Sequence, residues 1–384
     1  MLLALSEIRR AKARFTALAL AVGLLVFLVL FQQGLRDGLI TQFIGALRNQ
    51  SAPVLVYGEQ ARQNLEGSQI SPDQQAAVAG MEGVARVGRL GEGTFTVSTP
   101  VTRAESDPDD RLIDAVIFGY DLDGPGAGLG APTTLTAGRL PTATGEAVAS
   151  ERNRDEGFDV GDVVRVEPAG LEITVVGVAT DVNYSVAPTL FTSWNTYAEA
   201  RRVRNPDAVD VYPTVLALEL ADGVDEGDAL ARITALEGVE ALTRQQAVDA
   251  SPGVAAVSQS LNTVIGLLLL TALLVIGLFV LIITVQKASA LTLLRAIGAR
   301  RSTLVRALLT QTSLVVGAGV VIGSVLLALL APAASSIGVQ FRLGQVLGMG
   351  VVTLALSLLA SWAAVRRVLR IDPIAATTTQ GLLR

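Results

Sequence analysis

The chain contains neither cysteine nor histidine, and Lys12 and Lys287 are its only lysines. Each absence removes a class of chemistry. Without cysteine there are no disulfide staples and no thiolate nucleophile. Without either residue type there is no His- or Cys-ligated zinc and no histidine acid–base catalysis. A P-loop holds nucleotide phosphates with a lysine set between glycine and Ser or Thr. Neither lysine has those neighbours, so this sequence is not its own P-loop ATPase. Charge is also missing, but only locally: Phe15 to Gln33, Ala250 to Gln286, Ala307 to Phe341 and Leu343 to Val365 hold no Asp, Glu, Lys or Arg.

A bilayer core takes about 20 mostly apolar residues per helix. The four uncharged stretches are read as four spans, 15–33, 261–285, 307–330 and 343–365, with Pro332 ending the third within about a turn. The first is read as retained and not as a cleaved leader. Its apolar run is too long for a usual leader core and continues into Gln32-Gln33-Gly34-Leu35-Arg36, with no small-x-small site. The predicted fold is an integral membrane protein with four transmembrane α-helices in a 1+3 arrangement. A large α+β domain, 34–260, is inserted between the first and second helices.

Basic residues set the orientation. Arg9, Arg10, Lys12 and Arg14 lie in segment 1–14; Lys287, Arg295, Arg300, Arg301 and Arg306 in 286–306; Arg366, Arg367, Arg370 and Arg384 in the tail 366–384. Glu7 and Asp372 are the only acids in these segments, so the positive-inside rule puts all three, and both termini, in the cytoplasm. The insert and the short loop 331–342 then lie outside. The insert is strongly acidic, with 33 Asp and Glu against 16 Arg, but long domains translocate whatever their charge. Leu2, Leu5 and Ile8 give segment 1–14 the pattern of an amphipathic helix in the inner interface.

Within the insert, strand-like runs recur between turn signals: Val54 to Tyr57, Gly93 to Ser98, Ala115 to Tyr120, Val163 to Glu167, Leu171 to Val178 and Thr214 to Leu220. Ser71 to Val87 and Asp225 to Leu242 resemble each other. Each shows a capping residue, a helix, a glycine stop and a Val-led strand, which predicts two lobes flanking a β-rich centre. Glu105 to Asp110 and Asp121 to Pro132 have the composition of the most flexible loops. The first lacks the alternate-position ligands of a calcium loop. The second is glycine-rich but interrupted by Pro125 and followed by Pro132 instead of a helix, which argues against phosphate binding.

The segment between spans two and three has its own pattern. Ala290, Leu293, Leu294 and Ile297 fall at i, i+3, i+4 and i+7, one helical apolar stripe. Gly298 stops that helix, Arg300 and Arg301 sit at its cationic end, and Ser302 can cap the next. A stiff cytoplasmic elbow results. Periodicity leaves two uses open: an interfacial loop that enforces topology, or a knob that fits a groove on a cytoplasmic partner.

Leu293-Leu-Arg-Ala-Ile-Gly-Ala299 resembles the cytoplasmic signature of the MacB/FtsX-like ABC permeases, with Arg295, Ala296, Ile297, Gly298 and Ala299 matching it. Arg370-Ile-Asp-Pro-Ile-Ala-Ala376 is similar to that family's closing motif through Arg370, Asp372 and Pro373. Phe158 to Val164 with Ile173 to Val178 resembles the hairpin of its extracytoplasmic domain. The family's acidic coupling residue falls at Ala290 here, its following glycine at Thr292 and its terminal glutamate at Ala375. Arg295 and the apolar stripe must therefore supply more of any contact.

The resemblance implies a mechanotransmission (type VII) permease of the DevC-like kind, without a fused ATPase, in a bacterial inner membrane. It implies partners: two copies of a P-loop ABC ATPase, a second permease copy in a homodimer, the lipid bilayer, and as further candidates a periplasmic adaptor or a wall enzyme. The chain itself would bind no cofactor, ATP and magnesium belonging to the ATPase, and no nucleic acid. The implied function is export or extraction of a hydrophobic or amphipathic substrate. The alternative is an FtsX-type regulator that activates a wall enzyme without cargo. The absence of intramembrane charge fits movement outside the membrane better than a solute path. A membrane enzyme is disfavoured because there is no histidine to act as a base and both lysines flank the membrane on its inner side. Haem is disfavoured as cargo by the missing His and Cys. Gly319 with Gly323, and Gly344 with Gly348, are Gly-x-x-x-Gly steps that suit either dimerisation or packing within one subunit.

Overall fold

The structure is a computed structural model that describes residues 12–105, 107, 111–207, 210–286 and 301–336, together with 344, 347–348, 350–352, 355–356 and 358–359. Two compact units divide the chain: residues 39–258 form one, and the chain on either side forms the other.

Three helices in the described residues are long and apolar enough to cross a bilayer. They are α1 (Lys12–Arg48), α6 (Val254–Gln286), which follows the short α5 (Arg244–Ala250), and α7 (Arg301–Ser336). The described residues of the predicted fourth span are also helical. In α1 the buried residues Phe15, Leu18, Ala19, Val22, Val26, Val29 and Leu30 recur at helical spacing, while Leu20, Leu24 and Leu28 face outward. The buried stripe packs with Ile265 and Ile276 of α6 and with Val315, Val316 and Leu327 of α7. Val264, Leu267, Leu270, Leu274 and Leu278 form an exposed apolar stripe along α6, which is the pattern of a helix facing lipid.

Residues 39–258 fold as one ten-stranded mixed sheet with helices, an α+β architecture. The strands are β1 (Val54–Gly58), β2 (Val84–Ser98), β3 (Ile113–Tyr120), β4 (Leu135–Gly138), β5 (Glu146–Ser150), β6 (Val163–Val166), β7 (Leu171–Ala179), β8 (Thr189–Ser193), β9 (Val215–Leu220) and β10 (Val239–Thr243). Their order is β10-β1-β9-β2-β3-β8-β5-β7-β4, with β6 bonded to β2 and β7. The β3/β8 and β5/β7 pairs are parallel and the rest antiparallel. The hairpin expected around Phe158 to Val178 is β6/β7, registered from Val163 opposite Thr174 to Val166 opposite Leu171.

Alternation along the strands builds two faces. Leu55, Tyr57, Leu90, Val116, Phe118, Tyr120, Val215 and Ala217 point to one face and form a continuous core with Ile44, Leu47 and Leu65. The opposite face carries two separate cores. One is covered by α2 (Pro72–Ala79) and α4 (Glu226–Thr234) and includes Val54, Val56, Val78, Leu216, Leu230 and Ile233. The other lies under α3 (Trp194–Arg204) and includes Phe95, Ile117, Ile173, Trp194 and Tyr197.

This corrects the expectation of two lobes around a β-rich centre. The similar segments do give similar units, α2 capped by Ser71 and α4 capped by Asp225. They lie side by side on one core, because the strands that follow them, β2 and β10, flank β1 and β9 in the same half of the sheet. A second correction concerns Asp121 to Pro132. Composition suggests a loose loop, but the segment is pinned: Arg86 donates to the Pro125 and Ala127 carbonyls, and Ser51 Oγ donates to Gly128 O and accepts from Gly130 N.

Candidate functional site

The residues that the sequence marks for coupling, Ala290, Leu293, Leu294, Arg295, Ala296, Ile297, Gly298 and Ala299, lie outside the described residues, as do Arg370, Asp372 and Pro373 of the tail. The structure gives what leads into the first set: α6 is described to Gln286 and α7 from Arg301. The machinery visible is therefore the packing of the spans and the interior of the outer unit.

In the membrane unit, α1 and α7 meet through glycine. A Cβ on Gly319 would stand 2.6 Å from a Val22 methyl and 3.2 Å from the Ala19 carbonyl. One on Gly323 would stand 2.7 Å from the Gly23 carbonyl and 3.0 Å from Phe27 N. Gly23 answers from the other side, its Cβ position lying 2.8 Å from Ile322. The Gly319/Gly323 step is thus used within one subunit. In contrast, a Cβ at Gly344 or Gly348 meets nothing within 4 Å among the described residues.

The outer unit holds a buried polar cluster that sequence reasoning missed. Glu92, in the middle of β2, is 1% exposed, and neither carboxylate oxygen has a hydrogen-bond partner. Burial first, and then the nearby Glu66 charge, push its carboxyl up to about 8 against the opposing pull of Arg201 and Arg204. The shift favours the neutral carboxyl over the carboxylate. Burial, Glu92, Tyr57 and Glu66 together raise the Tyr184 phenol well above its ordinary value. The hydroxyls of Tyr57 and Tyr120 are likewise buried without partners. The only sequence signal was a charged residue at an inward position of a strand, and that strand was hidden by the glycines around it.

A second polar feature sits where β3 and β8 end. Arg89 binds Asp121 twice, from Nη2 at 2.6 Å and Nε at 3.0 Å, and its main-chain N–H donates to the other carboxylate oxygen at 2.8 Å. The guanidinium also lies 4.7 Å from the centre of the Trp194 ring. These residues border an open cleft of about 530 Å³ lined also by Thr142, Thr144 and Asn195. With Arg89 already paired, the cleft presents hydroxyl and amide groups and the Asp123 carboxylate. Neither feature brings a nucleophile to a base, and among the described residues no three acidic side chains gather as a metal site.

Comparison with known proteins adds an independent line. A family model described as the MacB-like periplasmic core domain matches residues 15–236, and one described as the FtsX-like permease C-terminal region matches 262–373. A putative hemin transport system permease protein HrtB of Staphylococcus haemolyticus is 25% identical over 381 residues, covering 98% of this chain and 99% of that protein. An uncharacterized ABC transporter permease of Mycobacterium tuberculosis is 24% identical over 375 residues, covering 97% and 98%. Among solved structures, the periplasmic region of MacB from Actinobacillus actinomycetemcomitans superposes with a TM-score of 0.35 at 13% identity, over 50% of this chain and 88% of that one. The extracellular domain of the Gram-positive transporter YknZ gives 0.33 at 10% identity, over 50% and 99%.

Proposed function

The chain belongs to the permease family marked by the MacB-like periplasmic core domain and the FtsX-like C-terminal region, and from that premise we propose that it is the membrane subunit of an ABC exporter driven by a separate P-loop ATPase. The observation that carries this reading is the combination of a family-typical span, outer domain and C-terminal span region with a sequence that offers no Gly-Lys-Ser/Thr. Energy then comes from an ATPase that these 384 residues do not contain. The cytoplasmic elbow, with Leu293, Leu294 and Arg295 at its centre, is the contact.

In this reading four spans run in the 1+3 order, with the domain 34–260 outside and both termini inside, on the side of the basic flanks. Two permease copies pair with two ATPase copies, and ATP-driven closure moves the outer domains. The outer unit supports such a reading because it is a single continuous sheet, able to move as a body. The substrate is amphipathic and is taken from the outer leaflet or its surface. Hemin, named for the staphylococcal relatives, is of that chemical class, an apolar macrocycle with carboxylate arms. With no His or Cys, this chain would have to meet its iron through Tyr or Met, or grip only the macrocycle. Transport is favoured over the wall-enzyme regulator because these relatives are named as permeases.

The test is co-purification from a native membrane. The full chain should bring down an ABC ATPase, and Leu294→Asp or Arg295→Asp should abolish that association while leaving the permease in the membrane. Retention of the ATPase by both variants would remove the elbow from the mechanism.

A further inference from the structure

Helix α1 is interrupted near its outer end. Ile44 has φ −139° and ψ 16°, so the helical hydrogen-bond ladder fails around it. Groups freed there are taken by one loop, residues 181–187, between β7 and β8. Ser185 N–H donates to the Phe43 carbonyl at 2.9 Å, Val186 N–H to the Gln42 carbonyl at 2.9 Å, and Ala46 N–H to the Asn183 carbonyl at 3.0 Å. Asn49 Nδ2 adds a bond to the Asp181 carbonyl at 2.6 Å. The approach is so close that a Cβ on Gly45 would stand 2.5 Å from Asp181 O.

The loop is held in a costly shape. Asp181, Ser185 and Val186 have φ of 58°, 50° and 63°. Positive φ is disfavoured for any side chain and is a true outlier for a β-branched one. Such backbone persists only where its surroundings over-determine it, and it collects at working parts of proteins. The surroundings here centre on Asn183, 5% exposed. Its amide donates to Asn153 Oδ1 at 2.9 Å and to the Ala187 carbonyl at 3.1 Å. Ser150 Oγ, at the end of β5, donates to the same Asn153 oxygen at 2.6 Å. Tyr184 N–H donates to Thr189 Oγ1 at the start of β8, and the Tyr184 ring packs edge-on against Phe118 of β3, 5.5 Å between centroids.

We propose that the 181–187 strap is the joint that fixes the outer end of the first span helix to the sheet, with Asn183 as its positioning residue: the Asn183 main chain grips the helix break while its side chain anchors the strap to Asn153 and to Ser150 at the end of β5, and the neighbouring Tyr184 N–H ties it to β8. The proposal rests on the transporter reading, in which displacement of that helix must reach the outer domain. The strap carries the displacement through its bonds to the strands on either side, and the contacts that hold Val186 at positive φ keep it from relaxing into a looser turn.

The test uses the full chain in lipid nanodiscs with its co-purified ATPase, comparing wild type with Asn183→Ala and Gly45→Ala. The second variant pushes the strap from the helix side and leaves the Asn183 anchor intact, should the first fail to fold. Hydrogen exchange resolved at Ala46, Ser185 and Val186 should quicken at least about ten-fold in both variants, with β1 and β9 amides unchanged. A dye on Ala77→Cys, an exposed site in a chain without native cysteine, should lose most of its ATP-dependent signal while the ATPase stays bound. Unchanged exchange at the three amides overturns the joint, and so does faster exchange with an undiminished dye signal. If wild type binds no ATPase or gives no ATP-dependent signal, the transporter reading fails and the exchange data alone decide the strap.

Discussion

The membrane unit and the outer unit both use glycine to bring parts close, for opposite reasons. Between α1 and α7, Gly23, Gly319 and Gly323 remove side chains so that helix backbones touch. Lipid tails are as apolar as Leu, so burial alone gives these helices little reason to associate, and close van der Waals contact supplies it instead. In the outer unit, Gly91 of β2 and Gly119 of β3 form a floor beneath Tyr197, and a Cβ on either would lie 2.2 Å from that side chain. There water drives burial, and glycine makes room for a ring fully buried in the core, whose hydroxyl donates to the Glu92 carbonyl at 2.8 Å. A glycine in one unit stands for contact between helices, and in the other for the bulk of a neighbour.

Substitutions can break this comparison. The largest effect is expected for Gly323→Leu, whose new side chain meets the Gly23 carbonyl and Phe27 N, backbone atoms that cannot swing away. It should cost about 3 kcal/mol or more, read as loss of folded protein in thermal unfolding of the detergent-solubilised chain. Gly344→Leu, where a Cβ meets nothing within 4 Å among the described residues, should stay within about 0.5 kcal/mol. Equal effects from both would mean that the α1–α7 approach is unimportant.

Gly91→Ala comes next, at about 1–3 kcal/mol, because its Cβ would strike the Tyr197 ring. The same change in a Tyr197→Ala background should be almost silent, since the two sites share one cause. Additive costs in that double-mutant cycle would refute the floor.

Two outer carboxyls sharpen the contrast between interior and surface, with opposite pH signs. Glu92 has a folded value near 8 against an unfolded 4.5, so the folded state holds a proton that the unfolded state releases. Its contribution is fully present below 4.5 and is lost as pH rises towards 8. Stability of the wild type should drop by about 2 kcal/mol between about pH 6 and pH 8, and Glu92→Gln should flatten that slope. A slope unchanged by the substitution would mean the proton sits elsewhere. Glu146 is held down to about 2, first by its hydrogen bond from Arg139 and then by Thr142 N–H. Its contribution is present above 4.5 and is lost as pH falls towards 2. Because the pair is at the surface, the effect of Glu146→Gln on acid unfolding should be the smallest of the set.

Legibility in the sequence followed periodicity. β1, β3, β6, β7 and β9 announced themselves through Val, Ile and aromatic residues at alternate positions, and the three apolar helices through length alone. The first half of β2 was obscured because Gly88, Gly91 and Gly93 read as punctuation. Gly88 is there because Gly126 packs on it, and Gly91 because of Tyr197. β4, β5 and β8 are short and rich in Ala, Thr and Ser, with no run long enough to signal a strand. The ordered state of Asp121 to Pro132 was invisible because Arg86 and Ser51, which hold it, are distant in sequence. The Gly319/Gly323 step was legible as a contact, but only coordinates could say that its partner is α1. Glu92 and the Arg89, Asp121 and Trp194 group escaped notice because each is assembled from strands whose order no local pattern encodes. The coupling residues were the reverse case, named by motif and lying outside the described residues.

The strand order has a mechanical consequence. The chain enters the sheet from α1 at Val54 and leaves it from Thr243 towards α6, and these two residues face each other across the antiparallel β1/β10 pair, with Arg244 N–H bonded to the Pro53 carbonyl beside them. Tension that draws both connections the same way loads this pair evenly. Tension that draws them apart peels it from that end, one bond after another, like a zip. The β1/β10 pair is therefore sturdiest when its two chain connections are drawn in step, and weakest when they are pulled apart.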